Sequence, residues 1–237
     1  LPPDTVVMSK IVPQDWQMRG GYAAELGAVG PERQIVEFDV GGEYFLRNKV
    51  ANCMVDLLKK QFDYAVSKNA AGICVRVDRD DSSVLFTPNE VNLWALGMWA
   101  SGAANDESQV WDAWASYRYG SAAVPGIRKA LAPTGDVVAE MLSIGPFTFG
   151  DTRLFPPQPN DDPFSQNWQN WKWDKSYAKA HSDAELGDPA FVESVARQKE
   201  EAERTAAQCL TNLDAVKSAL APIEYDILQA KLLGNQA

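Results

Sequence analysis

The sequence contains little of what several common kinds of functional site require. Its 237 residues include one histidine, His181, and three cysteines, Cys53, Cys74 and Cys209, which are far apart and form no CxxC pair. A zinc site and a histidine-based triad are therefore not expected, and we predict neither a metal nor a cofactor. The GxGxxG and GxxxxGK[ST] turns are also missing. Their absence argues against the nucleotide-binding versions of α/β folds.

The charge balance and the hydropathy pattern exclude two classes of partner. There are 22 Lys plus Arg residues against 32 Asp plus Glu, so the formal net charge is −10. A surface of that sign repels phosphate backbones, and we expect no nucleic-acid partner. No apolar run approaches the ~20 residues of a bilayer-spanning helix, and we expect no membrane association. Hydrophobic residues make up 46% of the chain, which is enough for a sizeable folded core.

The first hundred residues alternate apolar, β-branched runs with helical patterns. The sequence predicts buried strands at Thr5–Val12, Gln34–Val40 and Gly72–Asp78, each apolar enough to be covered on both faces. Helical spacing predicts helices at Val50–Val66 and Asn89–Ala100. Alternation of this kind indicates an α/β fold with parallel strands.

The number of strands suggests an incomplete barrel. A (β/α)8 TIM-type barrel takes about 250 residues and eight strands, so three strands predict only its C-terminal part, over residues 1–105. We expect the remainder in a missing N-terminal part of the same protein or in a second chain. Residues 106–237 read as a mostly α-helical domain with an aromatic, proline-rich loop at 147–173. A long amphipathic helix is predicted from Asp188 to near Pro222 and a shorter one to Leu233, packing on the barrel or forming a homodimer.

The predicted carboxyl ends of the strands carry charged residues, and active sites of parallel barrels lie at those ends. The residues in question are Lys10, Asp15, Asp39, Glu43, Arg76 and Asp78. Because neighbouring strands lie ~4.8 Å apart, Asp15 and Glu43 can share one pocket. Paired carboxylates are the usual apparatus of glycoside hydrolysis.

The spacing of these residues resembles a known family. Lys10 stands five residues before Asp15-Trp16-Gln17, and Glu43-Tyr44 follows 28 residues after Asp15. A later segment, Val91-Asn92-Leu93-Trp94-Ala95-Leu96-Gly97, begins a helix. In these features residues 10–100 resemble the C-terminal half of the catalytic barrel of the α-glucuronidases, glycoside hydrolase family 67.

The resemblance implies an inverting hydrolase that removes a glucuronic or 4-O-methylglucuronic acid branch from xylan fragments of plant or algal polysaccharide. It places Asp15 and Glu43 on the family's two carboxylates that position and deprotonate water, and Lys10 on a cation near the uronic carboxylate. The family's general acid lies on an earlier strand, outside this chain. The carbohydrate substrate is further expected to contact Trp16, Arg76, Asp78 and Trp171, with Arg76 available to hold a carboxylate and Trp171 to stack on a sugar ring.

Other interpretations stay open. Asp15 and Glu43 are also suited to capping strand ends, and Trp171 to pinning its loop to the core. The chain would then be a non-catalytic carbohydrate-binding or assembly component, or a hydrolase of the same barrel type acting on a different sugar. Cys53, placed on a helix, and Cys74, placed in a strand, are predicted to be small buried residues.

Overall fold

The computed structural model describes residue 2, residues 4–12, residue 18, and residues 22–41, 48–79, 82–144, 147–148 and 188–236. Its centre is a parallel sheet formed by β1 (Val7–Lys10), β2 (Gln34–Asp39) and β3 (Gly72–Arg76), in the order β1-β2-β3. The predicted strands are confirmed, with shorter ends. The fold is mixed α/β, with a small parallel sheet and many helices.

The two faces of this sheet differ in their surroundings. Val36 and Phe38 of β2 are fully buried and belong to the hydrophobic core. The opposite face, which carries every second residue, includes Glu37 together with Met8, which is 58% exposed, and Cys74, which is exposed. The predictions that both faces are covered and that Cys74 is buried were therefore wrong, because only one face of the sheet meets the core within the described residues.

Helix α1 (Val55–Ser67) connects β2 to β3, and it begins five residues later than predicted. Its apolar stripe, which includes Leu58 and Ala65, joins the core beneath the sheet. Cys53 precedes the helix rather than lying on it, and it is buried as expected. Residues 51–54 before the helix are not helical, and buried side chains of other parts of the chain accept their N–H groups.

After β3 the chain makes a short antiparallel hairpin, β4 (Asp78–Arg79) with β5 (Ser82–Ser83). Asp78 therefore belongs to this hairpin and not to the third strand. Helix α2 (Glu90–Ser101) follows within one residue of its predicted bounds, and α3 (Glu107–Tyr119) packs beside it.

The remainder of the described chain is α-helical apart from one hairpin. Its elements are a 3-10 turn (Ser121–Ala123), α4 (Val124–Leu131), α5 (Thr134–Met141), β6 (Ser143–Ile144), β7 (Phe147–Thr148), α6 (Pro189–Asp214), a 3-10 turn (Lys217–Ala219) and α7 (Pro222–Leu233). Asp188 caps α6 by accepting the N–H of Ala190 at 2.9 Å. The long helix ends at Asp214, earlier than the predicted Pro222.

Helix α6 packs along α4 and α5, which bury a stripe formed by Ala202, Ala206, Cys209 and Leu213. Helix α4 also packs closely against the chain just after α6, because a methyl group at Gly126 of α4 would overlap the side chain of Val216. Much of the predicted apolar stripe is therefore covered within the chain itself. Among the described residues, none of the helices combines the length and the apolarity that crossing a bilayer requires.

Candidate functional site

All three strands of the sheet end in charged residues on the same face. Lys10 is the last residue of β1, Asp39 of β2 and Arg76 of β3. The register places Lys10 opposite Glu37, and Asp39 opposite Arg76. Residues paired in register share a face, as do residues two apart on one strand. Lys10, Glu37, Asp39 and Arg76 therefore form one group on the face turned away from the core, which we call the strand-end cluster.

An ion pair connects two members of this cluster. Arg76 Nη2 lies 3.2 Å from Glu37 Oε1, and the two side chains are 31% and 13% exposed. A pair that is still partly solvated contributes no more than about 1 kcal/mol to stability. The ion pair instead fixes the position of the Arg76 guanidinium group, which it holds over the carboxyl edge of the sheet.

Asp39 is the most buried member of the cluster, with 2% of its surface exposed. Its Oδ1 accepts the N–H of Gly41 at 2.8 Å, which turns the chain immediately after β2. Gly41 suits this turn, since a side chain there would begin 3.1 Å from the Asn48 amide nitrogen. The strand-end pattern indicated Asp39 without a specific role, and it did not indicate Glu37. The sequence feature that could have identified both residues is a polar residue at every second position near the end of an otherwise apolar strand.

The seven sequence-predicted site residues have three different outcomes. Lys10 and Arg76 lie together in the strand-end cluster, whereas Asp78 is exposed on the following hairpin. Four others, Asp15, Trp16, Glu43 and Trp171, lie outside the described residues. Their predicted roles stay predictions, including the water shared by the two carboxylates.

Residues 42–47, called the Glu43 segment, lie outside the described residues. The described chain on either side of this segment is held by buried polar side chains. Four consecutive N–H groups, of residues 51–54, each donate to a buried side-chain oxygen. These hydrogen bonds are Ala51 N to Asn235 Oδ1 (3.2 Å), Asn52 N to Asn89 Oδ1 (2.6 Å), Cys53 N to Thr134 Oγ1 (2.9 Å) and Met54 N to Asn92 Oδ1 (2.7 Å). Asn92 lies on α2 and Thr134 on α5, whereas Asn89 immediately precedes α2 and Asn235 follows α7. We call these four acceptor residues, Asn89, Asn92, Thr134 and Asn235, the anchoring residues.

The same amides also donate hydrogen bonds. Asn92 Nδ2 donates to the carbonyls of Asn52 (2.9 Å) and Val40 (3.3 Å), so it joins both flanks of residues 42–47. Asn89 Nδ2 donates to the side chain of Asn48 (3.2 Å) and to the Val50 carbonyl (3.1 Å). Buried amides with this many partners restrict the backbone around them. The flanks of the Glu43 segment are therefore fixed by helices that follow it in the chain.

A lysine completes this arrangement. Lys231 of α7 donates to the backbone carbonyl of Asn48, and burial lowers the pKa of its ammonium group. Asn48 itself has a φ of +60°, a left-handed conformation that asparagine tolerates better than most residues. The C-terminal helix thus contributes directly to the position of the chain after β2.

No group of three His, Cys, Asp or Glu side chains suited to a metal ion occurs in the part of the chain that the structure describes. A shallow groove of about 510 Å³ lies between α3 and α4, lined by Asp112, Arg128, Lys129 and apolar neighbours. None of the strand-end cluster lines it.

Comparison with protein-family models and with curated proteins gives no match for this chain. A functional assignment must therefore start from the geometry of the strand-end cluster and from the sequence pattern around it.

Proposed function

We propose that this chain is the C-terminal part of a (β/α)8 barrel of an inverting glycoside hydrolase, which removes a glucuronic-type acid from an oligo- or polysaccharide. The observation that supports this most is the strand-end cluster. In a TIM barrel, helices cover the outer face of the strands, and the active site lies at the carboxyl ends. Here the buried side of the sheet meets the helical core, while the charged residues gather at the carboxyl edge of the other side.

The cluster combines two cations with two carboxylates, and an acidic sugar has groups that can bind to both. Lys10 and Arg76 bring two cations to one edge of the sheet, and Arg76 is oriented by Glu37. Guanidinium and ammonium groups are the side chains that hold a carboxylate by charge-assisted hydrogen bonds. Asp39 adds a buried carboxylate beside them. A uronic acid suits this set because its carboxylate can accept hydrogen bonds from the cations while its hydroxyl groups donate to the carboxylates.

In the proposed reaction, Asp15 and Glu43 hold and deprotonate the water that attacks the anomeric carbon, and a general acid from an earlier strand protonates the leaving oxygen. Both residues follow strands whose carboxyl ends the structure places side by side. Inverting enzymes separate acid and base by about 6.5–9.5 Å to admit this water. The anchoring residues hold the described backbone on both sides of residues 42–47.

The proposal requires additional strands. Met8 and Cys74 are exposed on the face that would become the barrel interior. We propose that an N-terminal part of the same protein, or a second chain, pairs with β1 and β3 and covers this face. Residues 1–237 alone are then expected to aggregate or to bind such a partner. A monodisperse, cooperatively melting 26.0 kDa monomer would contradict the architecture.

The direct test is hydrolysis by the purified protein with whatever chain accompanies it. Xylo-oligosaccharides with and without a 4-O-methylglucuronic acid branch are compared, and NMR identifies the anomer released first. We expect release of the uronic acid with inversion, and no cleavage of the unbranched chain. Glu43→Gln should lower turnover by about 10²- to 10⁴-fold without loss of folding.

Glu193→Gln is the matched control, because Glu193 is an exposed carboxylate on α6 that pairs only with its neighbour Arg197 at 2.7 Å among the described contacts. It should leave turnover unchanged. Near-normal turnover of a folded Glu43→Gln protein would remove Glu43 from the mechanism. Binding of the branched sugar with no hydrolysis would favour the non-catalytic alternative, and cleavage of neutral glycosides alone would favour a different sugar.

A further inference from the structure

An aromatic surface outside the strand-end cluster is open to solvent. Tyr117 of α3 is 74% exposed and Phe86, just before α2, is 72% exposed. The ring of Tyr117 lies 5.2 Å from that of the half-buried Trp94, at an angle of 35°. Phe86, Trp94 and Tyr117 are called the aromatic platform below. Neighbouring Trp111 and Trp114 are buried in the core, so they do not belong to this surface.

The backbone of Phe86 holds its ring outward at an energetic cost. Its φ is +61°, in the left-handed region that bulky residues rarely adopt. The turn around it is fixed by hydrogen bonds from Thr87 to the Val84 carbonyl, at 3.1 Å from the backbone N–H and 2.6 Å from the hydroxyl. Glycine would fit this conformation without strain. A strained residue that exposes a large apolar ring indicates a binding role.

The platform continues along one side of α2. Glu90, Trp94 and Gly97 follow at helical spacing, and nothing lies within 4 Å of where a Gly97 side chain would start. The surface beside Trp94 is therefore open at Gly97. From residue 90 to residue 97 a helix rises about 10 Å, so the platform is an elongated strip.

The charges at the edge of the platform nearly cancel. Arg118 lies 3.7 Å from Glu90 and 3.4 Å from Glu224, and its guanidinium carbon is 6.0 Å from the Phe86 ring centre. One cation between two carboxylates leaves no excess positive charge for a phosphate or an acidic chain. These side chains are 13–24% exposed, so they present polar groups at the rim of the aromatic rings.

We propose that the aromatic platform binds a neutral oligosaccharide, whose sugar rings stack on Tyr117, Trp94 and Phe86 while hydroxyl groups meet the Arg118 and Glu224 rim. Flat aromatic rings provide apolar contact to the C–H faces of a sugar, and a rim of balanced charge provides hydrogen-bond partners. The net charge of −10 disfavours nucleic acid and an anionic membrane surface. The proposal does not depend on hydrolysis, because no residue of the strand-end cluster takes part.

The test is native gel electrophoresis of the purified protein in gels containing neutral soluble polysaccharides, namely unbranched xylan or mixed-linkage β-glucan, with xylohexaose as a soluble competitor. We expect retardation by at least one of them. Tyr117→Ala should weaken binding by about tenfold, the loss expected for one stacking ring. Tyr22→Ala is the matched control, since Tyr22 is also exposed and stacks on Tyr64 at 4.0 Å elsewhere.

The Phe86→Gly variant tests whether binding can be lost while the stability of the fold is kept. Glycine accepts a φ of +61° without strain, so the variant should melt no lower than the parent protein and yet lose retardation. Equal retardation of both platform variants and the parent, or no retardation of the parent, would refute the proposal. Binding that falls steeply with added salt would also refute it, because a neutral ligand releases no counterions. Self-association abolished by Tyr117→Ala, without retardation, would identify a second copy of the chain as the occupant instead.

Discussion

Removing the side-chain amide of Asn92 should be among the most destabilising changes in this chain. Asn92 is completely buried on α2. Its oxygen accepts the Met54 N–H at 2.7 Å, and its nitrogen donates to the carbonyls of Asn52 at 2.9 Å and Val40 at 3.3 Å. Asn92→Ala leaves these three backbone groups without a partner in the core.

The magnitude follows from the three groups. A buried backbone group left without its hydrogen bond costs about 1–3 kcal/mol. The 3.3 Å contact is long, so two full bonds and one weak bond predict a loss of about 3–5 kcal/mol in the free energy of unfolding. For a chain of this size, each kcal/mol lowers the melting temperature by about 2–4 °C.

Urea denaturation followed by tryptophan fluorescence measures this loss, with Asn212→Ala as the control. Asn212 donates to the Lys129 carbonyl at 3.0 Å and accepts from Gln208 Nε2 at 3.0 Å, and both hydrogen bonds are exposed, so water can replace them. That control should cost less than about 1 kcal/mol. Asn92→Asp keeps the acceptor for Met54 but turns a second oxygen toward two carbonyls, so it should not rescue stability at pH 7. An Asn92→Ala protein within 1 kcal/mol of the parent would show that the anchoring residues do not restrain this segment.

Two further predictions concern glycine and cysteine. Gly126→Ala should destabilise the protein because the new methyl group overlaps the Val216 side chain. Gly97→Ala should stabilise it by up to about 1 kcal/mol, because a methyl group there meets nothing within 4 Å and alanine favours the helix. Equal melting temperatures of the two variants would refute this packing. Burial raises the pKa of Cys53 to about 12 and that of Cys209 to about 11, so at pH 8 an aromatic disulfide reagent should label exposed Cys74 alone. Labelling of all three thiols before unfolding would contradict the burial.

The helix and strand content was predictable where local chemistry and burial agree. Val36 and Phe38 alternate with polar residues and form the buried side of β2. Asp188 and Pro189 combine an N-cap with a favoured first helical residue, and α6 begins there. Such patterns are local, because a strand places every second residue on one face and a helix start needs a nearby acceptor for its free N–H groups.

Element ends depended on tertiary contacts. Val50 fits the helical pattern of α1, yet the helix begins at Val55 because distant side chains accept the N–H groups of residues 51–54. These acceptors lie about 40 to 180 residues later in the chain, where no local pattern reveals them.

The candidate site also has features that the sequence determined and features that depend on tertiary structure. The sequence by itself determined that Lys10 and Arg76 lie near strand ends, since apolar runs precede them. Only the tertiary structure decided that they share a face with Glu37 and Asp39, because that depends on the register between strands. The exposure of Cys74 has the same origin: a β-branched run predicts a strand, but which of its faces meets the core is settled by the elements that pack against it.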